Sequence, residues 1–415
     1  MAVIKPFCAL RPSPGKEELI ASVPYDVVNR QEAKELAGGN PLNFLRITRA
    51  EIELDEKINP YSCEVYKKAE ENLNKLKNHE DLKIDGTPKL YLYKLTMDGR
   101  SQTGIAATFS VDDYDSGIIM KHEKTRKEKE DDRTNHIVTT GAQTGPVFLT
   151  YKNVSLIDDI VDVVTKQTKP IYNFTSPDGI QHAVWILPEV KNQIVIEEIA
   201  KVKNLYIADG HHRAASASRA RKVKMDSNPS HSGSEEYNYF IAVLFPANQL
   251  KILPYNRVVS DLNGRTKEEF LNEVSEKFSV AKSSLKEPEE RKIFGMYLDG
   301  EWYRLKANDS ISASGSLSKS VAENLDVSIL QDFLLNPVLG IDDPRTNKRI
   351  DFVGGIRGTK ELEKLVDCCK AAVAFSLFPV SVDDLMKISD AGEIMPPKST
   401  WFEPKLRDGL LVHLI

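Results

Sequence analysis

The sequence has little cysteine and no long apolar run, and each shortage narrows the classes of protein that it can encode. Its 415 residues include four cysteines, Cys8, Cys63, Cys368 and Cys369, with no CxxC pair among them. This usage suits a reducing compartment, and it predicts that the adjacent Cys368 and Cys369 are buried structural thiols. No stretch approaches the roughly 20 apolar residues of a membrane span, and the first residues, MAVIKPFCALRPSPGKEE, do not resemble a signal peptide. We therefore expect a cytoplasmic protein without a membrane partner.

The chain also lacks the common cofactor and metal motifs. No Walker A, GxGxxG, HExxH or zinc-finger spacing occurs, so the sequence implies no organic cofactor and no structural zinc. The formal net charge of −5 gives no long-range attraction to nucleic acid, which we do not expect as a partner. Hydrophobic residues make up 41% and charged residues 28% of the chain, an ordinary globular balance.

Strand and helix patterns alternate along the chain. The segment 63–78 has the apolar spacing of an amphipathic helix. Asp98-Gly99 and Asp299-Gly300 each lie between apolar runs and predict two β-hairpins. Hairpins mixed with strand-helix-strand units favour a mixed α/β or α+β fold over a purely parallel sheet. A weak boundary near residue 260 predicts an N-terminal α/β region over 1–260 and a C-terminal α/β region over 261–415.

The clearest functional signal is the segment Asp209-Gly210-His211-His212-Arg213, here called the DGHHR turn, between a predicted buried strand and an alanine-rich predicted helix. Gly210 allows a sharp turn, and Asp209 stands where α/β sheets place ligands. The free amides at the helix start favour an anion. His211, His212 and Arg213 add donors there, and Arg213 can bind two phosphate oxygens at once. In the alternative, Asp209 only caps the helix and the histidines lie on the surface.

The DGHHR turn resembles the DG(N/H)(R/H)R loop of the ParB/sulfiredoxin superfamily, whose members bind nucleotide or phosphate there and include free L-serine kinases. The wider sequence resembles the domain-of-unknown-function 1015 family in SVPYDVVN (22–29), NPLNFLRI (40–47), HEKT (122–125), DDR (131–133), IADGHHR (207–213), PYNRVV (254–259) and MPPKSTWFEPK (395–405). Members of that family are linked to serine metabolism and include pyrophosphate-dependent serine kinases. The resemblance implies a ParB/sulfiredoxin-like core with an additional mixed-sheet region.

Three of these segments supply further candidates in the N-terminal region. Asp26 is either a base or metal ligand, or an ordinary turn residue. Asn43 and Arg46 are flanked by apolar residues. An arginine buried among such residues needs a partner for its charge. That partner is an anionic substrate or, equally well, a structural salt bridge. His122 and Glu123 begin a charge-dense run over 121–133 whose middle is typical of a solvated helix face.

Two other pairs or groups complete the candidate set. Asp132 and Arg133 belong either to the site or to a surface ion pair. Lys398, Ser399 and Thr400 follow two prolines that stiffen the backbone. A lysine with two hydroxyl groups suits a phosphate clamp, and the alternative is a rigid loop that caps a core.

Phosphoryl transfer requires positive charge around the phosphate and a carboxylate for the incoming hydroxyl. Arg213, Arg46, Lys398 and the two turn histidines are the candidates for the charge. Asp209, Asp26 and Glu123 are the candidates for the base or for Mg²⁺ ligands. The leading hypothesis is transfer of phosphate to the hydroxyl of free L-serine, with Mg²⁺ as cofactor. The donor is pyrophosphate or a nucleotide, and the resemblance favours pyrophosphate.

Two alternatives belong to other functional classes. One is a ParB-like protein that binds a nucleotide and DNA, although the acidic net charge and the lack of a recognisable helix-turn-helix count against it. The other is a metal-dependent phosphohydrolase of small phosphoesters, with His122, His211 and His212 as metal ligands.

Overall fold

The computed structural model describes residues 1–308, 311 and 320–415, and the chain divides into two compact units. The first unit comprises Met1–Lys121, Thr125–Leu250 and Pro404–Ile415, and the second comprises His122–Lys124 and Lys251–Glu403.

This division differs from the predicted regions 1–260 and 261–415 at the C-terminus. His413 pairs with Gln143 in a short antiparallel ladder, and Val412 forms a bridge with Leu10. The last residues of the chain therefore belong to the first unit. The strand that begins at Tyr255 pairs within the second unit, so the chain changes unit near residue 250.

The first unit is built on a mixed sheet. The strands of the first unit are β1 (Ile4–Lys5), β2 (Leu10–Pro12), β3 (Leu82–Ile84), β4 (Tyr91–Met97), β5 (Arg100–Ser110), β6 (Ile119–Met120), β7 (Ala142–Gln143), β8 (Val147–Tyr151), β9 (Tyr172–Thr175), β10 (Gln181–Ile186), β11 (Leu205–Asp209) and β12 (Tyr239–Pro246). The main sheet has the order β6-β11-β8-β12-β5-β4-β10-β9, with β1 beside β5. The pairs β6–β11 and β8–β12 are parallel, whereas β4–β5 and β5–β12 are antiparallel.

Helices cover this sheet and complete the core of the first unit. They are α1 (Glu17–Ile20), α2 (Arg30–Ala37), α3 (Leu45–Thr48), α4 (Cys63–Asn78), α5 (Val111–Asp115), α6 (Lys127–Thr140), α7 (Ser155–Gln167), α8 (Glu189–Lys201) and α9 (His211–Asp226). Ile157 of α7, Val195 of α8 and Ala214 of α9 are buried in one cluster with Leu149 and Leu244 of the sheet. The small alanine side chains let α9 pack closely against the strands.

The second unit has its own antiparallel sheet. The strands of the second unit are β13 (Ile252–Leu253), β14 (Tyr255–Val259), β15 (Phe278–Lys282), β16 (Ile293–Leu298), β17 (Glu301–Ala307), β18 (Ile350–Gly354), β19 (Val373–Leu377) and β20 (Trp401–Phe402). The last strand of the chain, β21 (His413–Leu414), belongs to the first unit. The sheet order is β15-β17-β16-β19-β14-β18. The helices are α10 (Lys267–Ser275), α11 (Asp326–Leu330), α12 (Gly358–Asp367) and α13 (Val382–Asp390).

The mixed α/β fold predicted from the sequence is confirmed. Helix α4 spans the predicted 63–78, and both predicted hairpins form, β4–β5 and β16–β17. Asp98 and Gly99 have φ of 51° and 76°, as expected for the type I′ turn that Asp-Gly favours. Within the described residues, no helix combines the length and the apolar character that a membrane crossing requires.

Cys368 and Cys369 do not have the predicted burial. Both side chains are exposed because α12 ends at Asp367 and the chain then turns away from the core, with Cys369 at φ 59°. The apolar pattern of α12 continues to Val366 and stops there, so the thiols follow the helix and do not share its buried face.

Candidate functional site

The DGHHR turn forms the strand-turn-helix that the sequence predicts. Strand β11 ends at Asp209 and α9 begins at His211. Gly210 lies between them with φ 91° and ψ 30°, a conformation that glycine adopts with little strain. The N-terminal end of α9 therefore follows directly after the strand, and the helix dipole favours a negative charge beside it.

Arg213 is more deeply buried than an arginine that only faces a cleft. It is 8% exposed. Its guanidinium donates to the carbonyl of Pro146 at 2.5 Å and to Oδ2 of Asp209 at 3.0 Å. A buried cation with these partners contributes to the stability of the fold as well as to the charge of the site.

Lys405 is a residue of this site that the sequence did not single out. Its Nζ lies 3.4 Å from Oδ1 of Asp209, and it is buried. Burial alone would raise the pKa of Asp209, but Lys405 and Arg213 outweigh it and hold this pKa at about 2. Asp209 is therefore ionised at neutral pH and is a weak base, so it serves better to orient the two cations than to accept a proton.

The two histidines of the turn have different environments. His211 is buried, and this burial lowers its pKa to about 3 despite the nearby Asp209. The expectation that His211 supplies positive charge is therefore wrong, since a neutral imidazole can only donate or accept a hydrogen bond. Nε2 of His212 accepts a hydrogen bond from the backbone N–H of Arg126 at 3.1 Å. Arg126 is the residue before α6, so the N-terminal ends of α6 and α9 lie side by side.

The turn around Asp26 faces a second buried arginine. Asp132 and Arg133 form an ion pair at 2.9 Å whose side chains are almost fully buried, so the surface ion pair considered from the sequence is wrong. The guanidinium of Arg133 lies 4.2 Å from the ring centre of Tyr25. Asp26 itself is exposed, at the tip of the turn. Its charge acts on both Tyr25 and Arg213, which places it at the rim of the site.

A cavity of about 30 Å³ lies beside these arginines, and Asp408 forms part of its wall. Its lining includes Tyr25, Arg133, His136, Gly145, Arg213 and Asp408. Asp408 is 1% exposed. Burial raises the pKa of its carboxyl to about 7, although Arg213 and Arg133 act in the opposite direction. Sequence inspection missed Asp408 because it lies in an unremarkable terminal segment.

A buried polar network holds the segment that carries Lys405 and Asp408. Arg407 donates to Oγ of Ser176 at 3.0 Å and pairs with Asp178. Oγ of Ser176 lies 3.1 Å from Nε2 of His182, and Nδ1 of that ring lies 2.9 Å from the hydroxyl of Tyr93. This network fixes the backbone on both sides of Arg407, so its neighbours have defined positions.

Asn43 and Arg46 make local contacts within the first unit. Oδ1 of Asn43 accepts from the N–H of Leu45, the first residue of α3, at 3.0 Å. Arg46 forms an ion pair with Glu53 at 2.5 Å and donates to the carbonyl of Asn40 at 2.9 Å. The structural salt bridge considered from the sequence is therefore present. A role of either residue in substrate binding stays a prediction.

The other predicted residues lie in the second unit. His122 is buried and Glu123 is half-buried, and the carbonyl of His122 accepts from the N–H of Met395 at 2.8 Å. Lys398 has φ 55°, and its Nζ lies 5.3 Å from the ring centre of Tyr255. Oγ of Ser399 donates to the carbonyl of Pro396 at 2.6 Å, and Thr400 is half-buried. Their participation with Arg213 in one site stays a prediction.

Asp209 of the DGHHR turn and the nearby Asp408 fit a resident Mg²⁺ poorly. Asp209 is already paired with Arg213 and Lys405, and Asp408 faces two arginines. In the described part of the chain, no group of three or more His, Cys, Asp or Glu side chains could hold a metal ion. His211 and His212 therefore belong to no such group, and Mg²⁺ stays a prediction from the sequence.

Replacement of Gly210 by alanine tests how closely the turn and Arg213 fit together. A Cβ at this position would lie 3.0 Å from Nε of Arg213, in a backbone with φ 91°. We expect Gly210→Ala to lower the free energy of unfolding by more than the roughly 1–2 kcal/mol of left-handed backbone strain alone. Gly117→Ala is the matched control, because Gly117 has φ 82° and nothing within 4 Å of its added Cβ. Urea unfolding measures both, and equal losses would contradict the close fit.

Comparison with known proteins adds a family and several distant structures. A family model described as "Protein of unknown function (DUF1015)" matches residues 4–328. No curated protein matches the chain. A conserved hypothetical protein from Pyrococcus furiosus is 12% identical with a TM-score of 0.35, over 75% of this chain and 95% of that chain. A free serine kinase in complex with AMP is 12% identical with a TM-score of 0.35, over 72% and 86%. C-terminally truncated SbnI from Staphylococcus aureus is 12% identical with a TM-score of 0.40, over 74% and 87%.

Proposed function

The chain belongs to the DUF1015 family, and we propose that it is a phosphotransferase acting on a small molecule with a hydroxyl group. The acceptor is free L-serine and the product is O-phosphoserine. The donor is pyrophosphate or a nucleotide, and the sequence resemblance favours pyrophosphate. The DGHHR turn binds the phosphoryl group that is transferred.

The observation that carries this proposal is the concentration of phosphate-binding groups at one end of α9. Arg213 and Lys405 both contact Asp209, and the N-terminal ends of α6 and α9 are adjacent. Two helix ends and two buried cations together favour an anion with several oxygens. Asp209 neutralises part of this charge in the free protein and orients both cations.

In the proposed reaction the acceptor oxygen attacks phosphorus while the bond from phosphorus to the donor oxygen breaks. The donor leaves with the electron pair of that bond, and the proton of the acceptor hydroxyl passes to a carboxylate that acts as base. Arg213 and Lys405 stabilise the charge on the phosphoryl oxygens, and the neutral His211 can hydrogen-bond one of them.

Phosphorus NMR of the purified protein tests the proposal. Serine is mixed with pyrophosphate, ADP or ATP in turn, with and without Mg²⁺, and we expect a new phosphoserine signal with at least one donor. Phosphoserine alone is the matched control, because release of phosphate from it would favour the phosphohydrolase alternative. If no donor yields phosphoserine under any of these conditions, the proposed function is wrong.

Lys405→Met tests which lysine of the segment MPPKSTWFEPK contributes to anion binding at the DGHHR turn. Methionine keeps the length of the buried side chain and removes the charge beside Asp209. We expect the affinity for pyrophosphate to fall about tenfold or more, as for the loss of one charge-assisted contact. Titration calorimetry with pyrophosphate measures it, with Lys398→Met as the comparison. A loss in both variants means that Lys398 also contributes to pyrophosphate binding, whereas a loss in Lys398→Met alone contradicts the role of Lys405.

A further inference from the structure

The carboxyl of Asp408 has an oxygen that the protein does not satisfy. Among the described residues, Oδ1 of Asp408 has no hydrogen-bond partner, although the side chain is 1% exposed. Gly145 leaves the space that this oxygen occupies, since a Cβ there would lie 2.2 Å from Oδ1. Buried polar atoms are nearly always hydrogen-bonded, so this oxygen requires a partner from outside the protein chain.

The cavity beside Asp408 has the size for one hydroxyl group. Its volume is about 30 Å³, and a water molecule needs at least roughly 10–15 Å³ of such space. A carboxylate oxygen only accepts hydrogen bonds, so the occupant must donate one. The hydroxyl of a small alcohol has the size and the donor that this place requires.

Charged and titratable groups face Asp408 from each element around the cavity. Arg213 comes from α9 and Arg133 from α6, and Asp26 acts from the turn that also carries Tyr25. His136 of α6 also lines the cavity, and burial lowers its pKa to about 4, so it is neutral. The two arginines stabilise the charged carboxylate, whereas burial and Asp26 oppose it.

We propose that Asp408 is the catalytic base, which takes the proton of the acceptor hydroxyl as that hydroxyl enters the cavity. The inference rests on the proposed phosphotransferase function. The O–H bond of the acceptor breaks and its proton passes to Oδ1 of Asp408. The acceptor oxygen then bonds to phosphorus as the donor departs with its electron pair. Asp209, with its pKa of about 2, is too weak a base for this step, whereas Asp408 titrates near neutral pH.

The pH dependence of turnover tests this assignment. For the unmodified protein we expect kcat to rise tenfold per pH unit below about 7 and then to level off, as a base that must be ionised requires. Asp408→Asn should lower kcat about 10³-fold and remove this dependence, while the variant still binds pyrophosphate. Asp113→Asn is the matched control: Asp113 is a buried carboxyl outside the cavity that accepts from the N–H of Val3, and its loss should leave the pH profile intact.

Two further variants keep the test decisive if Asp408→Asn does not fold. Asp408→Glu retains the base but displaces it, and Gly145→Ala presses on Oδ1 without changing any charge. Both should lower kcat and shift the midpoint of the pH profile. An unchanged profile in the folded variants, with an active unmodified protein, overturns the role of Asp408 alone. An unmodified protein that is inactive with every donor overturns the proposed function instead, and the base assignment with it.

Discussion

Replacement of Arg213 by lysine should lower turnover about 100-fold, as expected for the loss of one preorganised electrostatic contact. Lysine keeps the charge but loses the planar fork that reaches two acceptors at once. Arg213 uses that fork for the carbonyl of Pro146 and for Asp209, and the proposed transition state requires it in the same orientation. The effect should fall on kcat more than on the Michaelis constant for serine.

The same substitution should also lower the free energy of unfolding by about 2 kcal/mol, since it leaves a buried carbonyl without its donor. Arg221→Lys is the matched control, because Arg221 lies on the same helix and pairs with Asp112 and Asn238 away from the turn. Steady-state kinetics and urea unfolding of both variants separate the two effects. Full activity together with a large loss of stability in Arg213→Lys would make Arg213 a purely structural residue.

Local patterns predicted the elements that carry the site. The apolar spacing over 63–78 and the Asp-Gly turns depend on neighbours within a few residues. The structure contains the helix and both hairpins at the predicted positions. The strand-turn-helix at 209–213 was predictable for the same reason. Gly210 and the alanines of α9 specify a tight turn and a closely packed helix without help from distant residues.

Long-range pairing decided what the sequence could not predict. Lys405 and Asp408 follow the DGHHR turn by almost two hundred positions, and only the return of the chain end to the first unit brings them there. Arg213 illustrates the same limit. The residue type of Arg213 suggested a contact with a ligand. Its burial depends on contacts with Pro146 and Asp209, which belong to different strands or turns. Arg46 found its partner in Glu53, a nearby acidic residue that sequence alone could not choose over a ligand.

Asp408 should also make the stability of the protein depend on pH. Its pKa is about 7 in the folded protein and about 3.9 in an unfolded chain. Between these values the folded state holds a proton that the unfolded state releases. The contribution of Asp408 to the free energy of unfolding is therefore fully present below pH about 4 and is lost as pH rises to about 7. The total change is about 4 kcal/mol, with the loss complete above that pH.

Asp408→Asn removes this titration, because asparagine resembles the protonated carboxyl and stays neutral. Relative to the unmodified protein, the variant should become progressively more stable from pH about 5 to about 7, by up to roughly 3 kcal/mol, and the difference should then stay constant. Urea unfolding of both proteins across this range measures the difference. Other titrating groups, such as His136 with its pKa lowered to about 4 by burial, contribute equally to both proteins, so their effects cancel. Asp226→Asn, an exposed position at the end of α9, is the control and should show no such trend. A difference curve for Asp408→Asn that is flat with pH would mean that this carboxyl does not hold a proton near neutrality in the folded protein.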